Sequence, residues 1–368
     1  MALRLAAFLA VFLVVLQRVG YAILAAVFVP RLNLDLSQSN SLTDHLMPRS
    51  DHLRYILLGV WERFDTLWYI EISRHGYSMA PAVVFYPLYP ILIRLATPIF
   101  RTPLAAAVAV CTLSTFFLYW GLKELLDLDI PADQSTNAVL VLVLWPGSFI
   151  FFAAYPDSLV SALMVWSIYC ARRDRWAGAS LLGVAAGFAK AIGTLAVIPL
   201  AWLAWKSERR PQALASTALC IAPTILYSVY LKLNGQPSVS EAYGQYWRTT
   251  PSWPWDTLIS TIRGVFATGG ILLILNFALV ILVYALVFFK RLRPEYTAYA
   301  AATLCLFLTK KTDPLLQSTM RYLLAVFPVF PAVAALTGDR VRLLIACLPL
   351  LGLNLLLLRG FWEWSLAV

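Results

Sequence analysis

Long apolar runs recur from one end of this 368-residue chain to the other, the first over residues 5–30, and nothing else constrains the fold as tightly. About 20 apolar residues in a helix cross the hydrocarbon of a bilayer. Inside hydrocarbon every backbone N–H and C=O needs a partner within the protein, which leaves helices or a closed barrel. The runs are rich in Leu, Ala and Val and lack the alternation of barrel strands, so the predicted fold is an all-α polytopic membrane protein. Composition agrees, at 61% hydrophobic and 13% charged residues, against roughly one-quarter charged in soluble chains. The first run is too long for a signal-peptide core and has no clear cleavage site. It reads as a retained first transmembrane helix.

The net charge of +10 is spread through short loops between the apolar runs. That pattern orients a membrane protein; a nucleic-acid binder would gather its charge on one face, so nucleic acid is excluded as a partner. Basic clusters stand at Arg172, Arg173 and Arg175; at Lys206, Arg209 and Arg210; at Lys290, Arg291 and Arg293; and at Arg340 and Arg342. Placing all four in the cytoplasm requires two crossings between successive clusters. Hairpins 176–190/193–206, 212–231/267–290 and 296–309/319–337 supply them, with 137–153/157–172 and 103–126 upstream and 341–358 as the last crossing. Residues 83–100, broken by Pro87, Pro90 and Pro98, read as interfacial or partly inserted. The expected architecture is one integral-membrane domain over 1–368 with about eleven crossings, N-terminus inside and C-terminus outside. The loops 31–102 and 232–266 then lie outside, together with the Tyr155-Pro156-Asp157 break, the Lys190 turn and the stretch 310–321. Cys111, Cys170, Cys220, Cys305 and Cys347 have no paired spacing and read as small core residues.

Polar residues on that face are the candidates for chemistry. Asp65, Trp68, Tyr69 and Ile72 would share one side of a helix. An aromatic-rimmed carboxylate suits holding a sugar and removing a hydroxyl proton, and a solvated acid beside an interfacial aromatic belt fits the same pattern. Asp157 fits an acid facing a cavity or a partner at membrane depth, the N-cap of a helix starting at the interface, or both together. Lys190, alone between Arg175 and Lys206, either meets a lipid phosphate or snorkels to the interface. Arg18 stands mid-helix with no motif around it. Arg321, following Lys310 and Lys311, is a phosphate anchor or interfacial charge. The aromatic loop 243–257 offers faces to a sugar or lipid, though an interfacial belt explains it better. Asp44-His45 and Asp51-His52, in a chain with three histidines, give no fixed ligand geometry, so neither a metal nor a cofactor is expected.

The order of these pieces resembles a known family. Asp65, Trp68-Tyr69, Gly76-Tyr77 and Phe85-Tyr86-Pro87-Leu88-Tyr89-Pro90 resemble the "WDxxWYxxIAxxGY…FFPLYP" signature of the PIG-V-like mannosyltransferases, relatives of the second mannosyltransferase of GPI-anchor assembly. Three later stretches resemble further segments of that family: "WPGSFIFFAAYPDSLVSAL", "GVAAGFAKAIGTLAVIPL" and "MRYLLAVFPVF". Phe64, Ser73 and the pair Ala189-Lys190 depart from its pattern, and a lysine in place of the usual arginine lacks the guanidinium fork.

The resemblance implies a compact bacterial member of the GT-C glycosyltransferases in the cell membrane. Such an enzyme takes a sugar, mannose in this family, from a polyprenyl-phosphate donor. It gives the sugar, with inversion, to a glycolipid or other acceptor on the extracytoplasmic face. Asp65 would be the general base, and Asp157 would orient a substrate or share the base's work. Trp68, Tyr69, Tyr77, Tyr86 and Tyr89 would bind substrate, and Lys190, Arg321 and Arg18 would steady the departing phosphate. Two other classes compete. A transporter or lipid flippase would place ionisable groups at midplane in repeated broken helices; only Arg18 is so placed, and no repeat is evident. A non-catalytic scaffold would leave Asp65 replaceable.

Overall fold

Helices make up nearly all the regular structure of the computed structural model, which describes residues 2–33, 41–44, 46–268, 270–290, 292–337 and 339–365. Five of them are long and apolar enough to cross a membrane: Arg4–Arg31, Pro103–Leu126, Arg210–Leu233, Ile271–Phe289 and Arg340–Trp362. Their outer faces expose Leu5, Phe8, Leu233, Phe289 and Leu348. Apolar faces this continuous suit lipid, not water, and the chain is an all-helical membrane protein. Shorter helices complete the set, among them Leu88–Phe100, Ala132–Leu144, Asp157–Arg172, Trp176–Ala189 and Pro294–Leu308.

Several predicted segments take a different form. Residues 319–337 are two helices, Thr319–Leu324 and Val329–Thr337, because Pro328 and Pro331 each remove a backbone donor. The 137–153 segment stops at Leu144; Pro146 and Gly147, the latter at φ 81°, lead into a 3₁₀ turn at Ser148–Phe152. The predicted loop 232–266 holds the helices Val239–Tyr246 and Pro254–Thr268. Over 83–100 the prolines do not break the chain. Pro90 lies in the first turn of Leu88–Phe100, where its missing N–H costs no bond, and Pro98 sits within the helix near its end. Its 13 residues rise about 20 Å, short of the ~30 Å hydrocarbon layer.

The helices Pro103–Leu126 and Asp157–Arg172 form the centre, flanked by the first helix and by Leu88–Phe100. They approach closely at Gly121, where a Cβ would meet Trp166 Nε1 at 2.5 Å. Small residues at such crossings are the usual packing device in membranes. Arg18 belongs to this core. Its Nε donates to Thr112 Oγ1 at 2.9 Å, Nη1 to Phe152 O at 3.1 Å and Nη2 to Val108 O at 3.2 Å. The guanidinium thus ties the first helix to the centre, and the expected contact with a departing phosphate is not its position.

Polar groups collect at two ends. At one, Asp129 accepts from Arg172 at 2.8 Å, from Arg293 at 3.1 Å and from Tyr296 Oη at 2.9 Å. Arg209 pairs with Asp174 at 3.5 Å, and Arg340 Nε donates to Asn137 at 3.4 Å. The four basic loops therefore meet at one end; Arg291 lies outside the described residues. Single cysteines replacing Ser50 and Glu208, in a background without native cysteines, are expected to react with an impermeant reagent from opposite sides. Labelling from the same side would overturn the assignment of those loops to opposite faces.

Candidate active site

At the other end the chain gathers Asp65, Asp157, Lys190, Arg321 and the segments 243–249 and 310–318. The first carboxylate is set by an unusual backbone. Phe64 has φ 46° and ψ −116°, a region costly for a side chain. Its ring is held by Phe361 at 5.6 Å and Trp364 at 5.0 Å. The sharp turn lets the helix Asp65–His75 begin at Asp65 itself. Thr66 Oγ1 pins that helix by donating to Ala153 O at 2.7 Å, and the Asp65 backbone N–H donates to the Tyr155 hydroxyl at 3.3 Å. Left-handed backbone recurs around the site at Ala154, Arg248, Leu316 and Ser318, and such strain tends to gather at functional sites.

Asp157 is the first residue of the second helix of the site, with Pro156 in the N-cap position, so it starts that helix without being its cap. Its carboxylate accepts from Lys190 Nζ at 2.7 Å and from Arg321 Nε at 2.9 Å. Arg321 also donates through Nη1 to Asp65 Oδ2. One guanidinium thus bridges two carboxylates, each at a helix start where the backbone dipoles favour negative charge. Its carbon lies 4.5 Å from the Tyr155 ring centroid. Lys190 ends the helix Trp176–Ala189 in extended backbone. The tight turn after it needs Gly193, where a Cβ would sit 2.0 Å from Ala186 O. With both carboxylates, Arg321 and Lys190 ionised, this network is neutral.

A cavity of about 700 Å³ opens over Asp65 and Arg321, within the ordinary range for small-molecule sites. One wall is aromatic. Trp68 stacks on Phe85 at 5.8 Å, and Trp247 meets both edge-on at 5.6 and 5.4 Å. The lining also carries Lys310, Tyr322, Arg248 and Asp313. Burial pushes the Tyr243 phenol up to about 12, so it stays protonated beside Lys310. Two short strands, β1 (Thr249–Pro251) and β2 (Lys310–Thr312), pair antiparallel and join the two segments.

Among the sequence candidates, Asp65, Trp68 and Arg321 line this cavity, while Asp157 and Lys190 stand behind Arg321. The other aromatics lie elsewhere. Tyr89 is wholly buried and donates to Ala107 O at 2.9 Å. Tyr69 is 2% exposed and packs edge-on to Phe85 and Tyr89. Tyr86 packs on Tyr227 at 4.8 Å. Tyr77 donates to Phe85 O at 2.7 Å and lines a separate cavity of about 400 Å³, mostly apolar, with Arg94 and Tyr230. These four build and support the wall that presents Trp68 and Phe85.

Other participants escaped the sequence reading. Trp247 and Tyr243 belong to the 243–257 loop, whose sequence fits an interfacial belt, and Trp364 comes from beyond the last predicted crossing. Arg63 is buried, donates to Tyr55 Oη at 2.7 Å and stands 5.2 Å from the Trp364 ring. It braces the turn ahead of Asp65. An arginine two residues before a candidate base, with aromatics near residue 364, was the available signal. His45 lies outside the described residues, and His52 opens a short helix, His52–Leu57.

No protein-family model matches the chain, and no curated protein matches it in sequence. Among solved structures it is similar to the crystal structure of ArnT from Cupriavidus metallidurans in the apo state, with a TM-score of 0.48 and 15% sequence identity. The match covers 87% of this chain and 59% of that one, so the chain spans less than two-thirds of the length of that protein.

Proposed function

We propose that the chain is a GT-C-type membrane glycosyltransferase of the PIG-V-like kind. It would move a sugar, mannose by the motif resemblance, from a polyprenyl-phosphate donor to an acceptor hydroxyl on the extracytoplasmic face. The acceptor would be a glycolipid or another molecule reaching that surface. The observation that carries this is Asp65: a carboxylate on an aromatic-walled cavity, oriented by a guanidinium that a second carboxylate holds from behind.

In the proposed reaction the acceptor oxygen attacks the anomeric carbon while Asp65 takes its proton. The bond from that carbon to the phosphate oxygen breaks, and its electron pair leaves with the phosphate. Attack opposite the leaving group inverts the centre. Phosphate is a stable anion, so the paired acid of a glycosidase is not required. Preorganised positive charge lowers the barrier to its departure. Trp68 and Trp247 present apolar faces suited to the sugar, and the lipid tail would remain in the bilayer beside the helices.

Purified protein in liposomes, given labelled polyprenyl-phosphate mannose and a membrane extract, is expected to yield labelled acceptor and free polyprenyl phosphate. No transfer from any polyprenyl-phosphate sugar, together with movement of intact donor between leaflets, would instead identify a flippase.

A further inference from the structure

We infer that the donor phosphate is held by Lys310, with Arg248 beside it at the end of the β1–β2 ribbon, and not by Lys190. Resting on the glycosyltransferase reading above, this assigns the phosphate to the cavity side formed by the ribbon. Among the described residues five charged ones line the cavity: Asp65, Arg248, Lys310, Asp313 and Arg321. The cations exceed the acids by one, so the cavity favours an anion. The cations differ in how far they are already neutralised.

Arg321 is bound to both Asp65 and Asp157. Lys190 stands outside the lining with its Nζ 2.7 Å from Asp157. Moving Arg321 onto a phosphate would take from Asp65 its ion-pair partner, and moving Lys190 would take from the buried Asp157 one of its two cations, a costly exchange in either case. Lys310 is different. Its Nζ donates to the neutral Tyr322 hydroxyl and lies 4.6 Å from the Tyr322 ring centroid and 5.1 Å from that of Tyr243. Among the described residues no carboxylate is within ion-pair distance of it or of Arg248. The two rings orient the ammonium and leave its charge available.

The ribbon fixes which lysine faces inward. Side chains alternate along a strand; Lys310 and Thr312 line the cavity, whereas Lys311 turns away and donates to Ser260 Oγ at 3.1 Å. Thr249 pairs with Thr312, and the Asp313 N–H donates to Arg248 O at 3.3 Å. Arg248 is thereby held next to the inward face.

The test is binding, measured without transfer. Purified wild-type protein and variants in detergent are titrated with a polyprenyl monophosphate and with the matching polyprenol, following tryptophan fluorescence. Lys310→Ala is expected to weaken monophosphate binding by about ten- to a hundred-fold and to leave polyprenol binding unchanged. Lys310→Arg should stay within a few-fold of wild type, as should the strand control Lys311→Ala. Gel filtration verifies that each variant is folded. Wild-type affinity for the monophosphate in Lys310→Ala, or the loss appearing instead in Lys190→Met, overturns the assignment and leaves the glycosyltransferase reading standing. Equal wild-type affinity for monophosphate and polyprenol overturns both. Monophosphate binding through Lys310 with no transfer from any polyprenyl-phosphate sugar overturns the reading alone.

Discussion

Asp65→Asn is expected to abolish sugar transfer while the protein stays folded. The amide keeps the volume of the carboxylate and still offers Arg321 an oxygen, so the loss is confined to charge and proton affinity. Removal of a general base commonly costs ~100- to 10,000-fold in rate. The strained Phe64 turn, the Thr66 bond to Ala153 and the Asp65 backbone bond to Tyr155 do not involve the carboxylate, so its scaffold should persist. Measuring transfer alongside thermal unfolding separates the two effects. Activity within a few-fold of wild type would remove Asp65 from catalysis; parallel loss of activity and of folded protein would make it a structural ion-pair partner.

Arg321→Met carries the largest expected effect on stability. Arg321 is 8% exposed and Asp157 5%, and the guanidinium contacts both Asp157 and Asp65. Without it Lys190 alone faces two carboxylates. Breaking a buried ion pair by removing one partner costs about 3–5 kcal/mol, most of it from the charge left behind. The unfolding midpoint should therefore fall sharply, and Asp157→Asn added to Arg321→Met should recover part of the loss. Transfer should remain absent in the double variant, because the cation that orients Asp65 is still gone. An unchanged midpoint in Arg321→Met would show that the network carries no stability. A midpoint lower in the double variant than in the single would show that the Asp157 charge is not the source of the loss.

The helical, membrane-embedded character was legible because it is written locally. Hydropathy and helix length are properties of consecutive residues, and Pro103–Leu126 appears as the sequence places it. The distribution of Lys and Arg located the loops that meet around Asp129 and Asp174. It also left the unusual chemistry of 63–77 at the opposite end.

Partnership was not legible. Isolated cations at Arg18, Lys190 and Arg321 look alike in a sequence, each a charge in an apolar setting. The fold separates them: Arg18 is spent on Thr112 and two backbone carbonyls, Lys190 on Asp157, and Arg321 on two acids 164 and 256 positions away. Lys310 alone of the lysines discussed reaches the cavity without an acid. The aromatics divide in the same way. Trp68 and Tyr69 are neighbours, yet one faces the cavity and the other the core, because successive helical positions point about 100° apart and only packing fixes which direction is inside. Chain order thus determined a helical membrane protein with its basic loops at one end and the 63–77 stretch at the other; which charge meets which, and which ring meets the substrate space, was decided by long-range packing, because ion pairing and burial depend on distances that sequence separation does not set.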